Sequence, residues 1–213
     1  MHLVVLDRFD VGPEDEGRWG DWYRGARLPR WKGLGGFDAA RLYRRMEDCG
    51  GPSHLALVTF AEEPGAAAGL QRLVREEGEG LEAPDFIGAA SMSAYRPFWE
   101  RTAAGNQGGT APTGPIQIVT LNIFGEKARE INAWYEDRHI PELLEHPGLQ
   151  WARRYRRLAG GPRFLTLYHF ADAAAVRAYV AGPIIRSAQA DRRRYNPWMT
   201  IVEHTDYVPL ERL

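Results

Sequence analysis

The chain has 213 residues, and its 27 Lys and Arg against 28 Asp and Glu give a formal net charge of −1. This balance produces no field that would favour nucleic acid or an anionic membrane. No stretch approaches the roughly 20 apolar residues of a spanning helix, and the single cysteine, Cys49, excludes an internal disulfide. We therefore expect a cytoplasmic protein with neither nucleic-acid nor membrane partners.

The first half of the chain alternates between strand and helix patterns. Strands are predicted at 2–9, 38–47, 54–60 and 86–96, with helices at 16–32 and 64–77. Residues 102–115 are rich in Gly, Thr, Pro and Ala without apolar periodicity, which is typical of a flexible linker. We expect a βαββαβ domain over 1–101, followed by a linker over 102–115.

The second half repeats this order over 116–213. Apolar residues at three-and-four spacing predict a helix at 126–145, which Pro141 should kink because it cannot donate a helical hydrogen bond. A second helix is interrupted by Gly182-Pro183. The complete set of predicted elements is strand 116–124, helix 126–145, strand 151–158, hairpin turn 160–162, strand 164–170, helix 172–194 and strand 198–208.

The two halves share residues as well as order. In the window 22–45, nine residues recur unchanged 112 positions later, over 134–157. A period of this length is too long for a solenoid and indicates a duplicated domain. We predict an α+β fold of two tandem ferredoxin-like repeats, each an antiparallel sheet with both helices on one face. The bare faces of the two sheets should pair into an intrachain α+β barrel, as a monomer or as part of a homodimer.

One motif in the second half carries a family resemblance. Trp134-Tyr135, then His139-Ile140-Pro141-Glu142-Leu143-Leu144 and Pro147-Gly148, resembles the EthD-like branch of the dimeric α+β barrel superfamily. The first half keeps Trp22-Tyr23 and Pro29 but has Arg27 in place of the histidine. The resemblance implies a small-molecule site inside the barrel or between sheet and helices. Related barrels include cofactor-independent monooxygenases, polyketide cyclases, isomerases and haem-degrading enzymes, so the fold does not select the reaction.

Four residues of the second half are the candidate catalytic groups. His139 shares a helix face with Tyr135 and could act as a general base, or it could bond a carbonyl freed by Pro141. His204 lies close to Asp206, which could orient and activate its ring. Tyr168 and Asn122 could hydrogen-bond a developing enolate. Each of these residues also has a structural interpretation, in packing or in strand-end hydrogen bonding.

A second group of residues could contact a substrate without reacting. Asp7 and Asn122 are interpreted as equivalent positions of the two halves, as are Met92 and His204. Packing and solvation are the alternatives for each candidate. The full group is Asp7, His54, Trp151, Arg153, Met92 and Trp134.

These observations predict a hydrophobic small-molecule substrate, aromatic or polyketide-like. The predicted enzyme is a cyclase, isomerase or monooxygenase that works by acid/base chemistry in a barrel cavity. No organic cofactor is expected, because no phosphate-binding loop follows a strand. No metal is expected either, since Pro141 and Pro147 interrupt the helix carrying His139, Glu142 and His146. The alternatives are a non-catalytic binder of such a molecule and a haem-binding barrel protein.

Overall fold

The computed structural model describes residues 2–47, 49–78, 83–106 and 111–213, with the side chains of residues 78, 211 and 212 left undescribed. The chain forms two compact units. The first contains Met1–Arg96, Arg157–Gly161 and Tyr207–Leu213, and the second contains Pro97–Arg156 and Pro162–Asp206. Four residues of the predicted linker 102–115, residues 107–110, lie outside the described ranges.

The first unit is built on a four-stranded antiparallel sheet. Strand β1 lies in the middle, between β3 and β4, and β2 pairs with the other edge of β3. The spatial order is therefore β4-β1-β3-β2. Its elements are β1 (Leu3–Val11), α1 (Glu16–Trp22), a π-helical segment (Tyr23–Arg27), α2 (Leu28–Lys32), β2 (Phe37–Arg45), β3 (His54–Phe60), α3 (Ala66–Gly78) and β4 (Ile87–Thr102).

The second unit repeats the same order, β8-β5-β7-β6. Strand β7 pairs antiparallel with both β5 and β6. Its elements are β5 (Ile116–Ile123), α4 (Ala128–Trp134), a π-helical segment (Tyr135–His139), α5 (Ile140–Leu143), β6 (Leu149–Ala159), β7 (Phe164–Phe170), α6 (Ala173–Ala181), α7 (Pro183–Arg192) and β8 (Met199–Arg212).

The predicted α+β class and the order βαββαβ are confirmed in both halves. The units nevertheless divide the chain differently from the predicted domains 1–101 and 116–213. The end of β4, Pro97–Thr102, is part of the second unit, and the end of β8, Tyr207–Arg212, is part of the first, where it pairs with β2. Local sequence patterns define where a strand lies but not which sheet its two ends join.

The first helix of each unit changes its winding at the same place. In both, a π segment of five residues begins at the tyrosine of the shared Trp-Tyr pair and ends two residues before the shared proline. The amide of Ile140 bonds the carbonyl of Tyr135, five residues back, and Leu28 bonds Tyr23 in the same way. Pro141 and Pro29 have no amide to donate, so the helix continues through a wider turn rather than the predicted kink.

The helix-facing row of β1 supplies the core of the first unit. Leu3, Val5 and Phe9 are fully buried in one cluster with Trp19 and Trp31 of the first helix. Burying large apolar side chains contributes about 1.5–3 kcal/mol each. This packing explains why large aromatic residues concentrate in the first helix.

Glycine recurs at Gly36 and Gly148 because both positions approach neighbouring atoms closely. Gly36 has a φ of +80°, and a Cβ there would lie 2.6 Å from the carbonyl oxygen of Ala61. A Cβ on Gly148 would lie 2.3 Å from the Cβ of Ala175. Both contacts are closer than atoms can pack, so this part of the repeat is constrained by backbone packing.

No helix within the described ranges is both long and apolar enough to cross a membrane.

We predict that Gly36→Ala destabilises the first unit. The added methyl meets a backbone oxygen and sits on a left-handed φ, so the loss should be about 1–3 kcal/mol. Urea denaturation would measure it. Gly25→Ala is the matched control, because no atom lies within 4 Å of a Cβ built there. Equal stability of the Gly36→Ala variant and the wild type would contradict the assignment.

Candidate functional site

In the first unit, a buried ion pair fills the space between the sheet and the first helix. Asp7 is fully buried, and the Nε of Arg27 donates to its Oδ2 at 2.9 Å. The Tyr23 hydroxyl donates to the same oxygen at 3.4 Å. Arg27 also pairs with Glu77 on α3, which accepts a hydrogen bond from Arg30 at 2.8 Å. The helices and the sheet are thus joined by one charged network.

The charge on Asp7 depends on Arg27. Burial raises the pKa of Asp7, while the Arg27 guanidinium and its hydrogen bond act in the opposite direction. Burial likewise raises the pKa of Tyr23 well above its usual value, so its hydroxyl remains a donor. Breaking a buried pair leaves an uncompensated charge, which is strongly destabilising.

The strand registers identify the equivalent positions in the second unit. Asp7 lies opposite Ala56, which lies opposite Leu42 on β2. Val119 lies opposite Thr166, which lies opposite Arg154 on β6. Leu42 and Arg154 are 112 residues apart, as are Arg27 and His139. Asp7 therefore corresponds to Val119, so the second unit has lost both members of the ion pair.

A pocket occupies the corresponding place in the second unit. It lies between the sheet and the helices α5 and α7, is partly open, and encloses about 370 Å³ of empty volume including its mouth. Its lining combines apolar side chains with eight that carry polar groups: Gln117, Tyr135, His139, Tyr168, Tyr179, Gln189, Arg192 and His204.

His139 is a buried, neutral histidine at the end of the π segment. Its ring stacks on Trp134, with centroids 4.4 Å apart, and meets Tyr135 edge-on at 4.9 Å. Burial lowers the pKa of His139 to about 3, and the charges of Arg192 and Arg154 act in the same direction. Among the described residues its Nδ1 has no hydrogen-bond partner. His139 can therefore bond a ligand, but it resists taking up a proton.

His204 differs from His139 because a carboxylate acts on it. Burial of the ring lowers the pKa of His204, and the negative charge of Asp206 opposes this shift. Part of the His204 side chain is exposed at the pocket mouth. Asp206 is itself buried and accepts a hydrogen bond from the Gln117 amide at 2.8 Å. A neutral imidazole near a fixed carboxylate is the better proton acceptor of the two histidines.

Tyrosines form the interior of the pocket. Burial raises the pKa of Tyr168 well above its usual value and also raises that of Tyr135. Both phenols therefore remain protonated at neutral pH. The Tyr135 hydroxyl donates to the Sδ of Met199 at 3.7 Å. Tyr168 can donate a hydrogen bond to an oxygen on a ligand.

Three of the four predicted catalytic residues come together in this pocket: His139, Tyr168 and His204. Trp134, predicted as a substrate contact, supports His139 from one side of its ring, and its Nε1 donates to Asp191 at 2.7 Å. The roles of these residues remain predictions, but their proximity is a structural fact.

The fourth residue, Asn122, lies elsewhere, and its proposed equivalence with Asp7 is wrong. Its Oδ1 accepts from the backbone amide of Arg163 at 2.8 Å. Asp10, which lies 112 residues earlier, accepts from the amide of Ser53 at 3.1 Å in the same way. Both side chains fasten the end of one strand to the start of another. The strand pairing aligns Asp7 with Val119, and the same alignment matches Asn122 with Asp10.

The structure also places the first-half candidates outside the pocket. Asp7 and Met92 belong to the first unit, where Met92 is buried near the Arg27 guanidinium, its Sδ 3.6 Å from Nη2. His54 is buried with both ring nitrogens engaged, by Ser53 at 3.0 Å and Glu16 at 3.1 Å. None of these three is free to contact a ligand without breaking an existing interaction or repacking the core.

Trp151 and Arg153 form a separate cluster in the second unit. The Trp151 ring stacks on His169, with centroids 4.9 Å apart, and the Arg153 guanidinium lies 4.3 Å from the Trp151 ring. Arg153 is also paired with Glu100 at 2.8 Å. Neither residue lines the pocket that contains His139, and their role as substrate contacts stays a prediction.

Sequence reasoning missed Gln117 and Arg192. Gln117 interrupts the apolar row that contains Val119 and Leu121, and this break was a detectable signal. Arg192 lies seven residues after Ile185 on the last helix, so both share one helix face. The pattern of that helix face indicates a polar group beside the core, but it does not indicate where the side chain of Arg192 points.

Within the part of the chain that the structure describes, no three or more His, Cys, Asp or Glu residues are grouped as metal ligands. The Nδ1 of His146 instead accepts from the amide of Gly148 at 3.2 Å.

Similar solved structures share this fold across nearly the whole chain. An anthrone oxidase-like protein matches with a TM-score of 0.71 and 14% identity, covering 100% of this chain and 92% of its own. A provisionally assigned monooxygenase from Fusobacterium nucleatum matches with a TM-score of 0.60 and 8% identity, covering 99% and 93%. A provisionally assigned chlorite dismutase matches with a TM-score of 0.55 and 14% identity, covering 99% and 96%. At these identities the likeness shows the fold alone, which is ferredoxin-like.

Sequence comparison reaches the second half only. Residues 116–203 match a family model described as a domain of unknown function, DUF4286. No curated protein matches the chain. The matched range contains most of the pocket-lining residues, including His139, Tyr168 and Arg192.

We predict that Arg27→His destabilises the first unit by about 3–5 kcal/mol, because Asp7 would lose its buried partner. The double variant Asp7→Val/Arg27→His introduces the residues of the second unit at both places and should recover part of that loss. Urea denaturation of the two single variants and the double variant gives the coupling energy. Additive losses would show that the two side chains do not depend on each other.

We predict that His139 makes stability depend on pH. Its pKa of about 3 lies below the usual 6.5, so between these values the unfolded chain binds the additional proton. Stability should therefore fall as pH decreases from 6.5 toward 3, by up to about 1.4 kcal/mol per pH unit. His139→Phe keeps a ring on Trp134 and should remove this contribution. Denaturation of both proteins across this range measures the difference, and parallel curves would refute it.

Proposed function

We propose that the second unit binds a small hydrophobic molecule with an aromatic ring and transforms it by acid/base chemistry without an organic cofactor. The observation that carries this proposal is the difference between the two units at equivalent positions. In the first unit the Asp7–Arg27 ion pair fills the space between the sheet and the first helix. In the second unit Val119 and His139 line an open pocket at the equivalent place. The opened space brings together groups able to accept and donate protons.

His204 is the proposed proton acceptor, with Asp206 as its positioning residue. A base must be neutral before it acts, and the lowered pKa of His204 keeps the ring neutral at pH 7. The carboxylate of Asp206 then stabilises the imidazolium that forms. His139 is less suited to this step, because burial and two arginine charges oppose its protonation. His139 is proposed to hydrogen-bond the substrate instead.

The proposed first step removes a proton from a carbon next to a carbonyl. The C–H bond breaks, its proton passes to the imidazole of His204, and its electron pair delocalises onto the carbonyl oxygen. The Tyr168 hydroxyl, held in its protonated form, donates to the resulting enolate oxygen. Return of the proton to a different carbon completes an isomerisation. In a cyclisation the enolate carbon instead attacks a second carbonyl of the substrate, whose C=O π pair becomes an alkoxide that takes the proton back from His204. In an oxygenation dioxygen is the oxidant: it bonds to the enolate carbon, and the resulting peroxide anion takes the same proton.

Wider features of the sequence prediction belong to the same proposal. We place the chain with the EthD-like and polyketide-cyclase-like barrels, on the strength of the motif around His139. We also propose that the two sheets close into an intrachain barrel. The sharing of strands supports this closure, since β4 and β8 each contribute residues to both units.

Haem, the remaining alternative, does not fit this pocket. The described volume of about 370 Å³ includes the mouth, and a porphyrin macrocycle needs more room. The His139 ring is also enclosed by Trp134 and Tyr135. No step is assigned to haem.

Proton exchange tests the proposal without knowledge of the natural substrate. Benzoylacetone has an aromatic ring and an acidic carbon between two carbonyls. We expect the protein to accelerate deuterium incorporation at that carbon in D₂O, followed by NMR. His204→Gln should lower the catalysed rate by about 10²–10⁴-fold, and Asp206→Asn by less. His146→Gln, which alters a histidine of the same unit outside the pocket, is the matched control.

Binding measured on the same variants separates the two classes of function. Retained binding of benzoylacetone with lost exchange supports an enzyme. Binding to the wild type with no exchange above buffer would identify a non-catalytic binder and overturn the catalytic proposal. An equal loss of exchange in His146→Gln would show that the effect does not arise in the pocket.

A further inference from the structure

We propose that the pocket takes its ligand as an anion, with the Arg192 guanidinium paired to a carboxylate or phenolate oxygen. This inference rests on the proposed function and narrows it to a substrate class, aromatic acids and acidic phenols. Arg192 was not among the residues predicted from the sequence, and its place in the pocket follows only from the packing of α7 against the sheet side of the site.

Arg192 lines the pocket with its charge uncompensated. Its Nε is buried and has no hydrogen-bond partner among the described residues, and no ion pair to it is found within the same ranges. Desolvating an arginine without a partner is unfavourable, so an anion that enters the pocket gains both a charge pair and hydrogen bonds. The planar guanidinium suits two oxygens at once.

The carboxylates near Arg192 are already engaged by other groups. Asp191, next in sequence, accepts from the Trp134 indole at 2.7 Å and lies 3.6 Å from Arg138. Asp206 accepts from Gln117 at 2.8 Å. These contacts hold both acids away from the role of counter-ion, which leaves that role to a ligand.

The charge of Arg192 reaches the other polar groups of the pocket. It contributes to lowering the pKa of His139 and of His204, and it opposes the rise of the pKa of Tyr135 and Tyr168. The Arg192 guanidinium therefore acts electrostatically on four of the lining groups. An oxygen bound there would be within the same polar cluster.

The rest of the pocket indicates the size and character of the ligand. Apolar side chains such as Val119, Leu143 and Ile185 complete the lining beside the tyrosines. The pocket is small, with about 370 Å³ of empty space even when the open mouth is included, and this favours a compact ring system over a long chain. The ligand is therefore one ring system with one acidic oxygen group.

A structural role for Arg192 is the competing explanation. The residue ends α7, where a cation is favourable beside the helix C-terminus. Such a role predicts lower stability on substitution and no preference for charge in the ligand. The two explanations therefore differ in the effect that an Arg192 substitution should have on ligand binding, not in its effect on stability.

Three matched probes test the proposal on the full chain: 4-nitrobenzoate, 4-nitrophenol at mildly alkaline pH, where it is the phenolate, and the neutral 4-nitroanisole. Calorimetry or NMR titration would give the Kd of each for the wild type, Arg192→Gln, Arg192→Lys and Arg193→Gln. Arg193 is the neighbouring arginine, exposed and outside the pocket lining. Circular dichroism checks that each variant is folded.

We expect Arg192→Gln to raise the Kd of the two anionic probes by about tenfold to a hundredfold. The Kd of 4-nitroanisole should change little. Arg192→Lys should recover part of the affinity, and Arg193→Gln should match the wild type. Loss confined to the benzoate identifies a carboxylic acid as the ligand class, and loss confined to the phenolate identifies an acidic phenol.

Two results would overturn the inference. Equal weakening of all three probes in Arg192→Gln, or unchanged binding of both anions, would assign Arg192 a structural role while leaving the pocket and its histidines as proposed. If none of the probes, and no benzoylacetone, binds the wild type, then the proposed function itself fails and the inference fails with it.

Discussion

The pairing of Asp7 with Arg27 is the constraint from which the rest of this structure can be understood. A carboxylate with no exposed surface can keep its charge only if a cation is held against it, and Arg27 reaches Asp7 from the first helix of the unit. Glu77 on α3 binds the same arginine. The sheet and both helices of the first unit are thereby joined at one place, and the ion pair occupies the space between them.

The second unit lacks this ion pair, and different polar groups line the equivalent space. With Val119 in place of Asp7 and His139 in place of Arg27, the equivalent space has no buried charge pair to fill it. The groups around that space then acquire different electrostatic properties. His139 is kept neutral by burial, His204 is acted on by Asp206, and Arg192 is left without a counter-ion among the described residues. In the duplicated chain the two copies thus differ at equivalent positions: one holds a buried ion pair and the other lines a pocket.

A site residue could be predicted where a sequence motif or the repeat marks its position. It could not be predicted where contacts with residues distant in the chain place its side chain. His139 could be found from the Trp-Tyr helix motif, which is local in the sequence, and His204 from the 112-residue interval of the duplication, which can be read from the sequence without a structure. Asn122 was misplaced because its partner, the amide of Arg163, is set by the strand ladder. Arg192 could not be recognised as a pocket residue, since its side chain is placed by the packing of α7. Trp151 and Arg153 look like binding residues in sequence, yet each is already held by His169 or Glu100.

The sequence by itself determined the α+β class, the order βαββαβ and its duplication, because apolar periodicity, prolines and glycines act on the backbone over a few residues. It also identified the repeat positions at which the two copies differ. Only the tertiary structure decided which of those differences matter. Whether a polar side chain is paired, neutral or available depends on atoms far away in the chain. Asp7 and Val119 illustrate this, since the repeat interval of 112 residues aligns them, but only the structure shows that an ion pair fills one position while the other lines a pocket.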